Sequence, residues 1–308
     1  EFTSSIEDDL GRRDFTMNAL AFDPLEAKWA DPFDGARDIE ASVIRCVGDA
    51  LKRFREDGLR PMRAIRFVST LNFRLDAQTE AALGALPETF AQVAWERKQA
   101  ELEKLLVGPS VRVALNLLEN TGLLKLMMPE LVGGDDESLA GLEALPRDPW
   151  LRFAGWGVAR GLSGAQLEAL ATRLKASRRA RRAVAAWSEA FVATQDTVPD
   201  GVEFRRWLAG FGVEALAGAV ELLLAFGRVT PAWATRARRR LRNPPPYRVD
   251  DLALDGRDLL ALGFRGAELG RAQRRLLDLV LEAPQRNRRE FLLKAAHSLS
   301  TAASVHER

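Results

Sequence analysis

Strand-like punctuation is confined to residues 14–47 of this 308-residue chain, and that restriction sets its broad class. Asn18 to Phe22 is a short apolar run before the Asp23-Pro24 turn, and Trp29-Ala30 precedes Asp31-Pro32-Phe33-Asp34-Gly35. Val43 to Val47 is a compact run ended by Gly48. Beyond it the pattern is helical almost throughout. Leu51, Phe54, Leu59, Met62, Ile65 and Phe67 recur at helical spacings, and Asp76 caps a helix expected to run through Ala85 and close at Pro87. Two short buried helices are expected over Val111–Leu118 and Leu123–Met128, joined at Thr121-Gly122. Ser163 with Gln166 forms a capping box for a helix reaching about Ala176. The Gly133–Glu137 stretch reads as a loop, and Arg242-Asn243-Pro244-Pro245-Pro246 as a stiff connector. The expected architecture is mainly α: a small mixed α/β segment followed by a long helical body.

Several classes drop out on simple grounds. No apolar run approaches the roughly 18 residues of a membrane helix, so the chain reads as soluble with no membrane partner. The lone Cys46 excludes a disulfide framework and a cysteine zinc site. Only His297 and His306 are present, which removes histidine-rich metallohydrolase chemistry. Glu1 to Leu10 is acidic and lacks an apolar core, so it is no signal or transit peptide. Without an initial Met, Glu1-Phe2-Thr3 reads as the middle of an element, and the chain as a fragment.

Charge distribution says more than the net charge of +2. All but seven of the 45 basic residues are arginine, the side chain suited to planar contacts with phosphates and bases. One cluster holds Arg173, Lys175, Arg178, Arg179, Arg181 and Arg182, and another Arg236, Arg238, Arg239, Arg240 and Arg242. A third runs through Arg271, Arg274 and Arg275 to Arg286, Arg288 and Arg289. Such patches on a nearly neutral chain match a nucleic-acid footprint, although solvated helix faces would look the same.

Two constellations carry chemistry. In Arg12-Arg13-Asp14-Phe15-Thr16-Met17-Asn18, guanidinium groups can neutralise a triphosphate while carboxylate and amide bond ribose hydroxyls. On a helix, Asp14 and Asn18 would share a face. In Arg53-Phe54-Arg55-Glu56-Asp57-Gly58-Leu59-Arg60-Pro61-Met62-Arg63-Ala64-Ile65-Arg66-Phe67, Asp57, Arg60, Arg63 and Arg66 fall at intervals of three, predicting one helical stripe. A carboxylate acceptor beside a guanidinium donor matches the exocyclic amine and ring nitrogen of cytosine or adenine. Uracil and guanine present the opposite pattern and would leave buried polar groups unpaired. Capped helix starts and surface ion pairs are the competing explanations for both stretches.

RRDFTMNALA, DPFDGARDIEASVIRCVGDALKRFREDGLRPMRAIRF, LENTGLLKLMMPEL and the later LDGRDLLALGF occur in that order. Together they resemble the bacterial class II tRNA nucleotidyltransferase/poly(A) polymerase family of CCA-adding, CC-adding and A-adding enzymes. The resemblance implies a seahorse-like assembly with the C-terminal part of a polymerase-β-like head over 1–47. A base-recognising neck would span 48–107, a helical body 108–215 and a tRNA-binding tail 216–308. It implies that Arg13 contacts the incoming nucleotide, Asp14 and Asn18 shape the ribose pocket, and Asp57 and Arg60 read the base. Arg63 and Arg66 would hold the nucleotide. Arg236, Arg238, Arg239, Arg240, Arg271, Arg274 and Arg275 would track the acceptor arm and 3′ end of tRNA. The implied substrates are CTP and ATP, the implied cofactor Mg2+ and the implied location the cytoplasm, with DNA no partner.

Two departures from the family pattern stand out. The head motifs expected before RRDFT, a glycine-rich turn and a strand with two metal-binding aspartates, are absent, so no catalytic or metal-binding residue is expected here. Asp31 and Asp34 belong to turn chemistry and are no substitute. Pro61 cannot donate to the Asp57 carbonyl and is expected to relax the helix locally. A poly(A) polymerase and a non-catalytic RNA-binding protein are the rival readings. Among lesser signals, Gly210-Phe211-Gly212 lacks the preceding strand of a dinucleotide site, and His297 lies in an apolar helical stretch. An exposed Trp233 beside the 236–242 cluster could stack on single-stranded RNA.

Overall fold

The computed structural model describes residues 5–134, 136–194 and 199–306, with side chains described as far as Leu299. The reading of Glu1-Phe2-Thr3 as part of an element lies outside these residues. The chain divides into two compact units, Glu1–Ser188 and Glu189–Arg308.

The first unit opens with α1 (Ile6–Leu10) and a 3-10 turn over Thr16–Asn18. Antiparallel strands β1 (Ala21–Asp23) and β2 (Lys28–Ala30) follow, with Phe22 opposite Trp29. The Asp23 carboxylate accepts the amides of Leu25 and Glu26, closing the hairpin with an Asx turn. Asp31 caps α2 (Gly35–Glu40) by accepting the Gly35 and Ala36 amides at 2.7 and 2.9 Å, and Asp34 adopts the left-handed conformation. Both aspartates are thus turn and cap residues. A Cβ at Gly35 would lie 2.2 Å from the Thr16 carbonyl oxygen, so a side chain cannot fit there. β3 (Val43–Ile44) pairs in parallel with β4 (Arg74–Leu75), a strand too short to disturb the helical periodicity around it.

Between these strands lie α3 (Ala50–Glu56) and α4 (Arg60–Leu71), and the predicted continuous stripe from Asp57 to Arg66 is corrected here. Asp57 is extended (φ −145°, ψ 105°) and closes α3, while Arg60 starts a new helix. Gly58 permits the break by backing onto the next segment, where an added Cβ would meet the Thr89 carbonyl oxygen at 2.3 Å. Pro61 sits in the first turn of α4, where amides have no intrahelical acceptor, so it starts the helix rather than loosening it.

α5 (Ala77–Ala82) is capped by Asp76 but stops short of Ala85. Pro87 opens α6 (Pro87–Ala91) instead of closing α5. α7 (Trp95–Leu106) and α8 (Val111–Asn120) pack on α4 around buried Met62, Ile65, Leu102, Leu105 and Leu115. α9 (Leu123–Met127) follows Gly122, whose φ of 75° provides the predicted junction. Arg152 is buried, and its Nη1 donates to the carbonyls of Leu106 and Gly108, pinning the end of α7. It lies on α11 (Pro149–Ala159), which follows the single turn α10 (Gly141–Ala144). The Ser163–Gln166 capping box forms in both directions on α12 (Gly164–Arg173), which ends before Ala176. α13 (Arg178–Val192) contains the division between the units.

The second unit comprises α14 (Gly201–Ala225), α15 (Pro231–Arg242), α16 (Gly256–Ala261), α17 (Gly266–Glu282) and α18 (Arg289–His306). α14 is long and apolar enough to cross a membrane by length and composition, which corrects the expectation that no such run exists. Gly212, with φ 79°, interrupts its helical geometry, and Trp207, Leu208, Leu216, Val220 and Leu223 are buried. Its Glu221 pairs bidentately with Arg238 of α15 at 2.7 and 2.6 Å. α14 is built as a core helix. Trp233 is a second correction: it is buried against Phe204 and Trp207, and its Nε1 donates to the Pro199 carbonyl. The LDGRDLLALGF segment forms α16, with reciprocal capping by Asp255 and Asp258 and Gly263 (φ 93°) at its exit. Leu259, Phe264, Leu276, Val280 and Leu292 form its core.

Gly58→Ala is expected to destabilise the protein by about 1–3 kcal/mol through forced overpacking against residue 89. A urea midpoint unchanged from wild type would show that the α3–α4 break does not depend on this close approach.

Candidate functional site

Arg12, Arg13, Asp14, Asn18, Asp57, Arg60, Arg63 and Phe67 line an open cleft of about 490 Å3 in the first unit. It therefore gathers six of the seven predicted nucleotide-binding residues, which come from two segments more than a helix apart in sequence. Isolated backbone pairing brings them together: Phe15 bridges Cys46, with the Thr16 amide on the Arg45 carbonyl and the Val47 amide on that of Asp14. Behind the bridge, Cys46 is inert. Burial pushes its thiol up to about 12, despite the hydrogen bond with Thr79.

Asp14 is buried and fully engaged. Its Oδ1 accepts the Phe15 amide and the Asn18 Nδ2, both at 2.9 Å. The predicted Asp14–Asn18 contact thus exists, but a 3-10 turn makes it rather than an α-helix. Oδ2 accepts from Arg63, with Nε at 2.7 Å and Nη2 at 2.6 Å. This pair, in which two guanidinium donors converge on one oxygen, joins the segment before β1 to α4.

Arg60 is anchored differently. Its Nη2 donates to the Arg12 carbonyl at 2.8 Å, and its Nη1 to the Arg53 carbonyl and Glu56 Oε2, each at 2.9 Å. Arg53 in turn donates to the Gly11 carbonyl at 2.8 Å. The Asp57 carboxylate makes no hydrogen bond to the Arg60 guanidinium, although the Arg60 amide donates to the Asp57 carbonyl at 3.0 Å. Asp57 Oδ1 accepts the Leu59 amide at 3.0 Å, and its Oδ2 accepts from Arg97 at 2.8 Å. Burial by itself would raise the Asp57 carboxyl. The Arg97 hydrogen bond, the Leu59 amide and the charges of Arg97 and Arg60 outweigh it and hold the group below the usual carboxylate range.

Arg66 is the predicted residue that does not line the cleft. It lies 3.5 Å from the centre of the Phe67 ring and donates to Glu101 Oε2 at 2.7 Å. Burial pulls its pKa below the ordinary arginine value, with Glu101 opposing. Glu101, itself buried, also stands 3.9 Å from Arg63 Nη1 and 3.2 Å from Lys104. Sequence reading missed Arg97, Glu101 and the cleft-facing role of Phe67. Arg97 and Glu101 are one turn apart on α7, but nothing local connects them to residues some forty positions earlier.

Of the predicted RNA-contact residues, Arg236, Arg239, Arg271, Arg274 and Arg275 are exposed, and none forms an ion pair among the described residues. Arg238 is held by Glu221, and Arg240 by Asp200 at 2.7 Å. No group of three or more His, Cys, Asp or Glu side chains among the described residues could hold a metal ion.

Residues 1–45 match the family described as the poly A polymerase head domain. Residues 72–133 match the one described as the probable RNA and SrmB-binding site of polymerase A. A CCA-adding enzyme of Geobacillus stearothermophilus is 37% identical over 262 residues, covering 84% of this chain and 63% of that protein. One from Lactobacillus helveticus (strain DPC 4571) is 31% identical over 302 residues, covering 97% of this chain and 73% of that protein. The crystal structure of the Bacillus stearothermophilus CCA-adding enzyme in complex with CTP aligns with a TM-score of 0.82 at 31% identity, over 99% of this chain and 77% of that one. This chain thus spans between about three-fifths and three-quarters of the length of these relatives.

Arg97→Gln is expected to raise the Asp57 carboxyl pKa, read by carbon-13 NMR titration. Because the folded value is depressed, its stabilisation is complete above the unfolded pKa of about 3.9 and is lost as pH falls through the folded value. The stability gap between wild type and Arg97→Gln should accordingly be widest above pH ~4 and close at lower pH. A gap independent of pH would disconnect Arg97 from Asp57.

Proposed function

The chain belongs to the class II tRNA nucleotidyltransferase/poly(A) polymerase family, and from that premise we propose that it is the nucleotide-selecting and tRNA-binding part of a template-independent tRNA 3′-end nucleotidyltransferase. The protein carrying it adds C, A or both from CTP and ATP, in the cytoplasm where tRNA is the substrate. The observation that carries this reading is the cleft, which sets four arginines against two aspartates, an amide and an aromatic ring. A triphosphate suits that excess of positive charge: Arg12 and Arg13 are the groups to neutralise it, Arg13 giving up its exposed partner Asp9, while Arg63, held on Asp14, helps to hold the nucleotide in place. Asn18, fixed by Asp14, offers its amide to the ribose.

Asp57 and Arg60 supply the acceptor and donor for the base. They are not paired with each other, and each is aimed by separate partners, so a base can meet both. Cytosine and adenine place an amine against Asp57 and a ring nitrogen against Arg60. Uracil and guanine set a carbonyl against the carboxylate and an N–H against the guanidinium. Arg66 acts one step back, sharing Glu101 with Arg63. We assign residues 1–47 to the head, 48–107 to the neck, 108–215 to the body and 216–308 to the tail. The exposed arginines of α15 and α17 supply phosphate contacts to the acceptor arm, with no membrane or DNA partner.

Mg2+, the ion such a transfer uses, finds no ligand set among the described residues. Asp31 is committed to backbone amides, and Asp34 lies in a left-handed turn. The residues of this chain bind, orient and select. A poly(A) polymerase would use a similar cleft, and product analysis separates the two.

CTP and ATP should bind at least about tenfold tighter than UTP and GTP, a ratio that one mismatched polar pair can supply. Asp57→Ala should abolish that preference, as measured by calorimetry on the purified chain. Equal affinity for all four nucleotides in wild type would sink the base-reading assignment. Incorporation of labelled CTP and ATP into tRNA lacking its 3′ end should require a version of the protein that also carries a metal-binding carboxylate pair. If this chain alone incorporates nucleotide, the metal assignment above is wrong.

A further inference from the structure

A second hollow, of about 290 Å3, lies within the second unit, lined by Gly201, Phe204, Arg205, Arg240, Asn243, Pro245 and Pro284. Nothing in the nucleotide-binding reading uses it. Arg205 is half-buried and has no carboxylate partner among the described residues. Its Nε donates to the Leu281 carbonyl and its Nη2 to that of Glu282 at 2.8 Å, at the end of α17. Those neutral acceptors fix the plane of the guanidinium and leave its charge intact. Arg240 reaches the same hollow from α15, lying 5.3 Å from the centre of the Phe204 ring and 2.7 Å from Asp200.

The local charge does not balance. Two guanidinium groups share the hollow, and among the described residues a single carboxylate, Asp200, serves one of them. Arg205 is pulled below its ordinary pKa first by burial and then by the charge of Arg240, the signature of like charges held close. A bound anion would relieve that repulsion, and the hollow has the fittings for one. Asn243 adds an exposed amide, and Pro245 and Pro284 add apolar walls suited to a sugar. The space is too small for a folded partner and open enough for a strand to pass.

We propose that this hollow is a phosphate subsite for an RNA strand, with Arg205 and Arg240 holding one phosphodiester and Asn243 bonding the adjoining sugar. This rests on the tRNA-binding reading above and adds to it a defined contact that the basic clusters alone did not indicate. Arg205 lies outside all three sequence clusters. A guanidinium held by carbonyls offers a planar, charged face to phosphate, so Arg205 is the principal contact, and Arg240, which shares its charge with Asp200, is the auxiliary one.

The test measures binding of the full chain to a tRNA transcript lacking its 3′ end, by fluorescence anisotropy over a range of salt concentrations. Arg205→Gln should weaken binding at low salt by roughly tenfold and lower the salt slope by about 0.9. Because Arg205 also ties down α17, Asn243→Asp is the independent variant: it adds a negative charge to the hollow without touching those carbonyl bonds, and should weaken binding similarly. Inorganic phosphate at low millimolar concentration should not compete. Wild-type affinity and slope in Asn243→Asp would overturn the subsite while leaving the tRNA-binding reading intact. No binding by wild type would overturn that reading and the subsite with it. Competition by submillimolar phosphate would make the hollow a small-anion site and overturn its assignment to RNA.

Discussion

The arrangement of the cleft depends on one buried carboxylate. Asp14 joins the turn before β1 to helix α4 through one oxygen that accepts twice from Arg63, and orients Asn18 with its other oxygen. Removing that carboxylate would leave a guanidinium in a poorly solvated position and a turn without its hydrogen-bond acceptor, a costly combination. The same logic is repeated one layer deeper, where buried Glu101 holds Arg66 and stands near Arg63. α4 is thereby held by two acidic anchors, Asp14 and Glu101.

A second device recurs in both units. Several arginines are held by backbone carbonyls in addition to, or in place of, carboxylates: Arg60 by those of residues 12 and 53, Arg53 by that of Gly11, and Arg205 by those at the end of α17. A carboxylate fixes a guanidinium by neutralising it. A carbonyl fixes its orientation and leaves most of its charge available to an anion. The cleft and the second hollow share this property, which links their local geometry to the chemistry of phosphate. Arg152, held by the carbonyls of Leu106, Gly108 and Leu145, shows the same bonding used only to brace the end of α7.

Sequence patterning made a good deal of this legible. The Ser163–Gln166 capping box, the Gly122 junction, the turn chemistry of Asp31 and Asp34 and the mainly helical class all follow from local rules, because each involves residues within one turn of one another. The misreadings have a common cause. Asp57, Arg60, Arg63 and Arg66 have helical spacing, yet close packing of Gly58 against residue 89 breaks the helix between the first two. Trp233 lies in a basic segment, yet Phe204 and Trp207 bury it. The apolar run of α14 is masked in the sequence by Glu214, Glu221 and the glycines at 210, 212 and 218 that punctuate it.

The amino-acid sequence by itself determined the residue types that can bind a nucleotide, their order along the chain and the family to which they point. Those are properties of short motifs, and short motifs are read from neighbours. Which side chains share a cleft, which carboxylate is paired with which guanidinium, and which arginines keep their charge were decided by the tertiary structure alone. Arg97 reaches Asp57 from forty positions along the chain, and Arg205 reaches the end of α17 from more than seventy. Such pairings are products of packing, and no local spacing rule encodes them.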